Sequence, residues 1–267
     1  MQIKLLATDL DGTLLSSGKP VSEKNIAAAR AAAKAGTIVT IATGRMYKAA
    51  LPVAEALGLD VPIITYNGAL IKSTSGKVYY RKFMDEEICR KVTDFCARRG
   101  WYLQTYSGDT LYYSDYNEFS RRYERSQKVS GENLGYEALR EKVSEMYKML
   151  IITDSPEVTQ DWMAELTAEF GDAITLTQSA PDFIEIISPG VSKAAALQKL
   201  ADIMGFDMRE TMAIGDANND LPLLKAAGFS VAMGNAADNI KAVTDAVTGN
   251  CVDDGWAQAV YKYILNK

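Results

Sequence analysis

The stretch Ile3-Lys4-Leu5-Leu6-Ala7-Thr8-Asp9-Leu10-Asp11-Gly12-Thr13 decides how the rest of the chain reads. An apolar run from Ile3 to Thr8 stops abruptly in acidic and glycine residues, the pattern of a buried strand feeding a loop. In extended backbone, residues two apart point to the same side. Asp9 and Asp11 can therefore face one site while Leu10 faces a core. The same residues also fit an Asp-Gly turn with helix-capping acids. What the chain brings to the end of that strand has to decide between the two.

Working outward, Ser22 is placed to cap a helix, Val21 and Ile26 suit a hydrophobic staple, and Gly36 marks the stop. A second strand, Thr37 to Ala42, ends at Thr43-Gly44-Arg45. Residues 46 to 57 read as a helix that Pro52 should kink or split. Val61 to Thr65 is a third strand. Asn67-Gly68 makes a turn, and Leu70-Ile71 with Val78 to Tyr80 flank Ser75-Gly76 as a hairpin. This β-α-β-α-β order predicts a parallel sheet with covering helices.

The order returns near the C-terminus. Helices are expected at Ser192 to Met204, Leu221 to Ala227, Asp238 to Val243 and Trp256 to Leu265. Strands are expected at Thr211 to Ile214, Phe229 to Ala232 and Ala246-Val247. The middle differs. It carries helices over Asp85 to Arg99, Tyr116 to Lys128 and Glu157 to Phe170, with another after Gly135. Strands are expected at Tyr102 to Tyr106, Leu111 to Tyr113, Lys148 to Ile152, Ile174 to Thr177 and Phe183 to Ile187. That content suffices for a small α+β domain, and Pro189-Gly190 makes a natural hinge. The organisation expected is an α/β core over residues 1–83 and 188–267, split by an inserted domain over 84–187.

Further groups with chemical potential sit at predicted strand and helix ends. Thr43-Gly44-Arg45 offers a hydroxyl and backbone N–H groups that could cradle a phosphate, although an ordinary strand-to-helix turn looks the same. Lys193 falls in the first turn of a helix capped by Ser192, where a cation opposes the macrodipole. A solvated surface lysine is the bland reading; holding a phosphate or neutralising a carboxylate is the other. Gly215-Asp216-Ala217-Asn218-Asn219-Asp220 puts several carboxylates and amides at the tip of a buried strand. That is costly unless they bind something, a hard cation being the natural partner, or unless the loop serves to cap the next helix. Acid pairs, a hydroxyl, a lysine and amides at the ends of two halves of one sheet suit phosphoryl transfer, where positioning and charge neutralisation do most of the work.

Composition narrows the chemistry. The chain has 267 residues, 48% hydrophobic and 24% charged, with a net charge of −5. That fits a soluble globular protein with enough length for one large domain or two modest ones, and argues against nucleic acid as the partner. No apolar run approaches the roughly 20 residues of a membrane span. The apolar N-terminal stretch is interrupted at once by Asp9 and Asp11, so it reads as a strand and not a signal core, and the cytoplasm is the expected location. Three cysteines, Cys89, Cys96 and Cys251, make a poor disulfide framework. The chain contains no histidine, which excludes Ser-His-Asp, Cys-His and HExxH chemistry. A metal site here would be built from oxygen ligands, favouring magnesium over zinc. No Gly-x-Gly or GxxxxGK[ST] phosphate loop occurs.

At these residues the sequence resembles the haloacid dehalogenase superfamily, specifically its Cof-like phosphatases with a large α/β cap (class IIB). The resemblance runs through DLDGTL (Asp9 to Leu14), TGR (Thr43 to Arg45) and NGA (Asn67 to Ala69). It continues through EIISPGVSK (Glu185 to Lys193), GDANND (Gly215 to Asp220) and VAMGNA (Val231 to Ala236). It implies a Rossmann-like doubly wound parallel sheet core with an inserted α+β cap that chooses the substrate. It also implies a magnesium-dependent phosphatase working through an aspartyl-phosphate. By resemblance, Asp9 is the nucleophile and a metal ligand. Asp11 is the general acid and then base, its backbone carbonyl also a metal ligand, and Asp216 is the second metal carboxylate. Thr43, Gly44, Lys193 and Asn219 are phosphate-binding, Lys193 also steadying the nucleophile. Asp220 is an outer-shell or lysine-orienting group. The chain departs from the pattern at Ala194, where the family often has glycine, and at Ala217 in a variable small position.

Sugar phosphates are the favoured substrate by the same resemblance. The tyrosines Tyr102, Tyr106, Tyr112, Tyr113 and Tyr116 could line a pocket, but packing between sheet and helix is the expected role. Two other readings keep part of this chemistry. A phosphomutase would return the phosphoryl group to its sugar and need a bisphosphate activator. A phospho-accepting signalling module would use an aspartate, magnesium and a lysine in about half this length.

Overall fold

The computed structural model describes residues 2–16 and 18–266; Met1, Ser17 and Lys267 fall outside the described residues. By contact density the chain divides into two units. One comprises the residues up to Arg81 and from Ser192 onward, the other Lys82–Val191.

In chain order the first unit opens with β1 (Leu5–Thr8), α1 (Glu23–Lys34), β2 (Ile38–Ala42), α2 (Tyr47–Ala56), β3 (Pro62–Thr65), β4 (Leu70–Ser73) and β5 (Val78–Arg81). The second unit holds α3 (Glu86–Arg99), β6 (Leu103–Ser107), β7 (Thr110–Tyr113), α4 (Glu118–Gln127), β8 (Glu132–Asn133), α5 (Gly135–Glu141), β9 (Met146–Ile152), α6 (Pro156–Phe170), β10 (Thr175–Thr177) and β11 (Phe183–Ile187). The chain returns to the first unit with α7 (Lys193–Met204), β12 (Thr211–Gly215), α8 (Leu221–Ala226), β13 (Phe229–Ala232), α9 (Asp238–Lys241), β14 (Ala246–Val247) and α10 (Gly255–Tyr263).

The first sheet runs β14-β13-β12-β1-β2-β3-β4-β5, parallel from β14 to β3 and antiparallel through β4 and β5. β1 is central and all four of its residues are buried, as a strand covered on both faces must be. Its alternation assigns the faces. Leu5 and Ala7 pack with Leu197 and Leu200 of α7 and with Leu223 and Leu224 of α8. On the opposite face, the Thr8 hydroxyl accepts a 2.8 Å hydrogen bond from the indole of Trp256 in α10. Asn25 of α1 ties that layer together, donating to the Leu14 carbonyl and accepting from the Ala257 amide. The sequence therefore builds the parallel, doubly covered sheet that its β-α order predicts.

Local signals acted largely as expected. The Ser22, Asp85, Ser155 and Ser192 side chains each accept from a backbone N–H of the helix they open. Pro52 does not split its helix, since α2 continues through it. Pro52 lies on the exposed face of a ten-residue helix, where a missing N–H is least penalised. The Asn67-Gly68 turn is tighter than a simple two-residue turn. Tyr66 and Asn67 take positive φ of 52° and 56°, and Gly68 follows at 109°.

The second unit's sheet runs β10-β11-β9-β6-β7-β8, antiparallel except for the β7–β8 pair. One face carries the apolar cluster of Leu103, Met149, Ile151, Ile184 and Ile186 with α3 residues Val92 and Phe95. The residues between these project to the other face. There Lys148 and Glu185 form a 2.7 Å ion pair with both side chains at most 2% exposed. Gln104 accepts from the Tyr102 hydroxyl and donates to that of Tyr106. Of the five tyrosines in question, Tyr102, Tyr106, Tyr112 and Tyr113 are buried and Tyr116 is exposed. Among the described residues no helix is long and apolar enough to cross a membrane.

Candidate active site

Asp9 leaves the end of β1, its backbone N–H donating to the Ile214 carbonyl of β12 at 3.0 Å. Its side chain is buried, and Leu10 is fully buried behind it. Lys193, the first residue of α7, is 3% exposed and reaches Asp9 Oδ1 at 2.6 Å and Asp220 Oδ1 at 2.7 Å. It is thus no surface lysine. Two carboxylates offset the penalty of a cation in the first helical turn.

Asp220 is bound at both oxygens. Its Oδ2 accepts the N–H groups of Asp216 and Ala217 at 3.1 and 3.2 Å. The side chain closes the loop after β12 and holds the lysine at once. Asp216 Oδ1 accepts the Thr13 hydroxyl at 2.6 Å, joining the loop after β12 to the loop after β1. Carboxylate oxygens of Asp9, Asp216 and Asp220 all lie within 4.8 Å of one another. Gly12 makes room for this. At φ +87° a Cβ there would stand 2.3 Å from Asp216 Oδ2, so a side chain is excluded both by conformation and by space.

The electrostatics follow from three acids sharing one lysine away from water. Burial, then the negative charge of Asp220, raises the Asp9 pKa well above the carboxylate range, and Lys193 offsets this only partly. Burial also lifts Asp216 to about 6, against the Thr13 hydrogen bond that favours its charged form. Burial works to lower the Lys193 pKa, but Asp220 and Asp9 override it and raise it, so the ammonium stays charged. With all three acids ionised, two negative charges are uncompensated, which is the deficit a divalent cation fills. The Asn219 Oδ1 in the same loop is buried without a hydrogen-bond donor. All-oxygen donors and a double charge deficit fit a hard divalent cation such as magnesium.

Not every expected residue joins this cluster. The Asp11 side chain stands outside it, 57% exposed. Arg45 holds it through a fork, Nε to Oδ2 at 2.8 Å and a terminal nitrogen to Oδ1 at 2.5 Å. The three acids that lie together are thus Asp9, Asp216 and Asp220, while the Asp11 carboxylate is held by Arg45. Thr43 is buried after β2, its hydroxyl accepting the Arg45 N–H at 3.2 Å and its carbonyl accepting the Asn67 N–H at 3.1 Å. Gly44 lies between Thr43 and Arg45.

Two groups that hold the cluster together carried no role in the sequence reading, Thr13 and Asn235. The Asn235 amide donates to the Gly12 carbonyl at 2.8 Å, and its oxygen accepts the Cys251 N–H at 2.8 Å. The signal for both was their place inside DLDGTL and VAMGNA; neither has a periodicity that would single it out.

Comparison with known proteins agrees over the whole chain. Residues 6–260 match the family model of haloacid dehalogenase-like hydrolases. The chain is 31% identical over 265 residues to the 5-amino-6-(5-phospho-D-ribitylamino)uracil phosphatase YcsE of Bacillus subtilis, covering 99% of this chain and 97% of that one. A haloacid dehalogenase-like hydrolase structure from B. subtilis superposes with a TM-score of 0.88 at 29% identity, covering 98% and 100%. A sugar phosphatase of subclass IIB superposes with a TM-score of 0.85 at 25% identity, covering 97% and 98%. The chain belongs to the haloacid dehalogenase-like hydrolase family, among relatives that are phosphatases.

Proposed function

We propose that this enzyme is a magnesium-dependent phosphatase that hydrolyses a small phosphorylated metabolite through an aspartyl-phosphate on Asp9. The observation that carries the reading is the buried Lys193 ammonium fixed between Asp9 and Asp220, with Asp216 in the same cluster. A free carboxylate attacks a phosphate dianion poorly because like charges repel. A site that supplies a fixed cation at the attacking oxygen removes much of that barrier.

In this reading an Asp9 oxygen attacks phosphorus and the bond from phosphorus to the ester oxygen breaks. Asp11 gives its proton to that departing oxygen, releasing the alcohol. A water oxygen then attacks phosphorus while Asp11 takes a proton from the water. The bond between phosphorus and Asp9 breaks, restoring the carboxylate and releasing inorganic phosphate. Lys193 screens the charge on Asp9, and Thr43, Gly44 and Asn219 bind phosphoryl oxygens. Asp9, Asp216 and the Asp11 carbonyl would hold the magnesium, with Asp220 orienting Lys193. The bound ion supplies charge neutralisation and Lewis acidity at the phosphoryl oxygens.

We read residues 1–83 and 188–267 as the catalytic core and 84–187 as the family's inserted cap. A sugar or polyol phosphate is the favoured substrate. One relative is a sugar phosphatase, and another acts on a phosphorylated ribityl chain. The test is phosphate release from a panel of phosphorylated metabolites with and without magnesium, with Asp9→Asn as control. Magnesium-dependent release that disappears in Asp9→Asn is expected. Release that survives in Asp9→Asn, or no release from any compound, overturns the reading.

A further inference from the structure

We propose that Arg45 is a positioning residue for Asp11, holding the carboxylate that transfers protons in the reaction proposed above, on which this inference rests. The asymmetry of the pair carries the argument. The Asp11 side chain is 57% exposed and that of Arg45 only 14%. Arg45 is fixed at its backbone on both sides, its N–H donating to the Thr43 hydroxyl and its carbonyl accepting the Tyr66 N–H. A largely buried guanidinium on an anchored backbone therefore grips a carboxylate that would otherwise sample several rotamers in solvent.

The two-point contact sets both the position and the plane of the carboxylate, which a single lysine contact would not do. Stability does not account for it, since an ion pair with one partner this exposed contributes little to folding. The fork also leaves chemistry open. A carboxylate has about four acceptor positions and the arginine takes two, so Asp11 can exchange a proton while still held. The contact joins the loop after β1 to the loop after β2, so the proton-transferring group is registered against Thr43 and Gly44.

The experiment is a double-mutant cycle measured by steady-state hydrolysis of p-nitrophenyl phosphate with magnesium, with thermal midpoints for every protein. It compares wild type, Arg45→Ala, Arg45→Gln, Arg45→Lys, Asp11→Asn and the Arg45→Ala/Asp11→Asn double variant. Arg45→Ala should lower kcat on the order of 10- to 100-fold, the scale of a misplaced reacting group, with KM little changed. Asp11→Asn should lower kcat further. The double variant should match Asp11→Asn alone, because a residue acting through Asp11 has nothing left to position. Arg45→Lys should recover only part of the loss.

Independent, multiplying effects would overturn the inference, as would a raised KM with unchanged kcat, the signature of a phosphate ligand. Wild-type kcat in Arg45→Ala would overturn it too. If Arg45→Ala does not fold, Arg45→Gln carries the same comparison. An active wild type with independent Arg45 and Asp11 sinks this inference alone, whereas a wild type without phosphatase activity sinks the proposed function with it.

Discussion

Lys193 Nζ lies 2.7 Å from Asp220 Oδ1, although 27 residues separate them, while the other oxygen of the same carboxylate closes the loop that carries Asp216. One buried side chain thus fixes both a cation and a candidate metal-binding acid. Asp220→Asn can keep one acceptor oxygen, but it removes the charge that holds the ammonium. Its expected effect is a loss of kcat with a small change in thermal midpoint. Asp220→Ala removes the loop acceptor as well and takes the partner from two partly buried N–H groups, which adds destabilisation of about 1–3 kcal/mol. Kinetics and thermal melts on the two variants separate the roles. Equal destabilisation by both would mean that the loop hydrogen bonds do not depend on the retained oxygen.

The raised carboxylates make a pH-dependent prediction with a definite sign. Asp216 moves from an ordinary 3.8 to about 6, driven first by burial, and Asp9 shifts in the same direction. A raised acid binds an extra proton in the folded state. Its stabilising contribution is full below the unfolded pKa and is lost as pH rises through about 6. Without a divalent cation, ionisation of Asp216 should weaken the fold as pH rises from about 4 to about 6, and Asp9 adds a loss of the same sign. Magnesium binds the ionised forms, so it should restore more stability at pH 7.5 than at pH 5. At one hundred times its dissociation constant the gain is about 2.7 kcal/mol. Thermal midpoints in EDTA and in magnesium at the two pH values check this. An equal or larger magnesium effect at pH 5 would contradict the assignment of these acids to the cation site.

The sequence shows the parts of this site more clearly than their connections. A buried strand ending in Asp9-Leu10-Asp11-Gly12 is readable because strand burial and turn chemistry are local. So is Ser192 as a cap, which placed Lys193 at a helix start. The Thr13–Asp216 bond spans 203 residues, and no local period encodes such a contact. The same holds for Asn235 bonding the Gly12 carbonyl. Asp11 shows the limit in another way. Alternation puts it on the side of Asp9, but a fork from another loop decides where its carboxylate rests. Lys148 and Glu185 are the clearest case, since charged residues in strands ordinarily mark an exposed face. Here each is buried because the other, two strand positions away across β9 and β11, neutralises it.

That pair gives the last prediction. Lys148 and Glu185 are 2.7 Å apart and almost wholly buried, and Glu185 Oε2 has no hydrogen-bond partner. Two desolvated charges tolerate each other only as a pair, so removing one strands the other. Glu185→Ala or Lys148→Ala should each destabilise the fold by about 3–5 kcal/mol. The double replacement Lys148→Met with Glu185→Leu removes both desolvation penalties at similar volume, and should cost far less than either single change. Denaturant unfolding of the three variants measures this directly, followed with a probe assigned to residues 82–191. Additive losses in the double variant would show that Lys148 and Glu185 are stabilised by other contacts and not by each other. A double variant close to wild type would show that the pair is not needed for folding, and would leave the polar face of β6, β9 and β11 to be explained by what that face does.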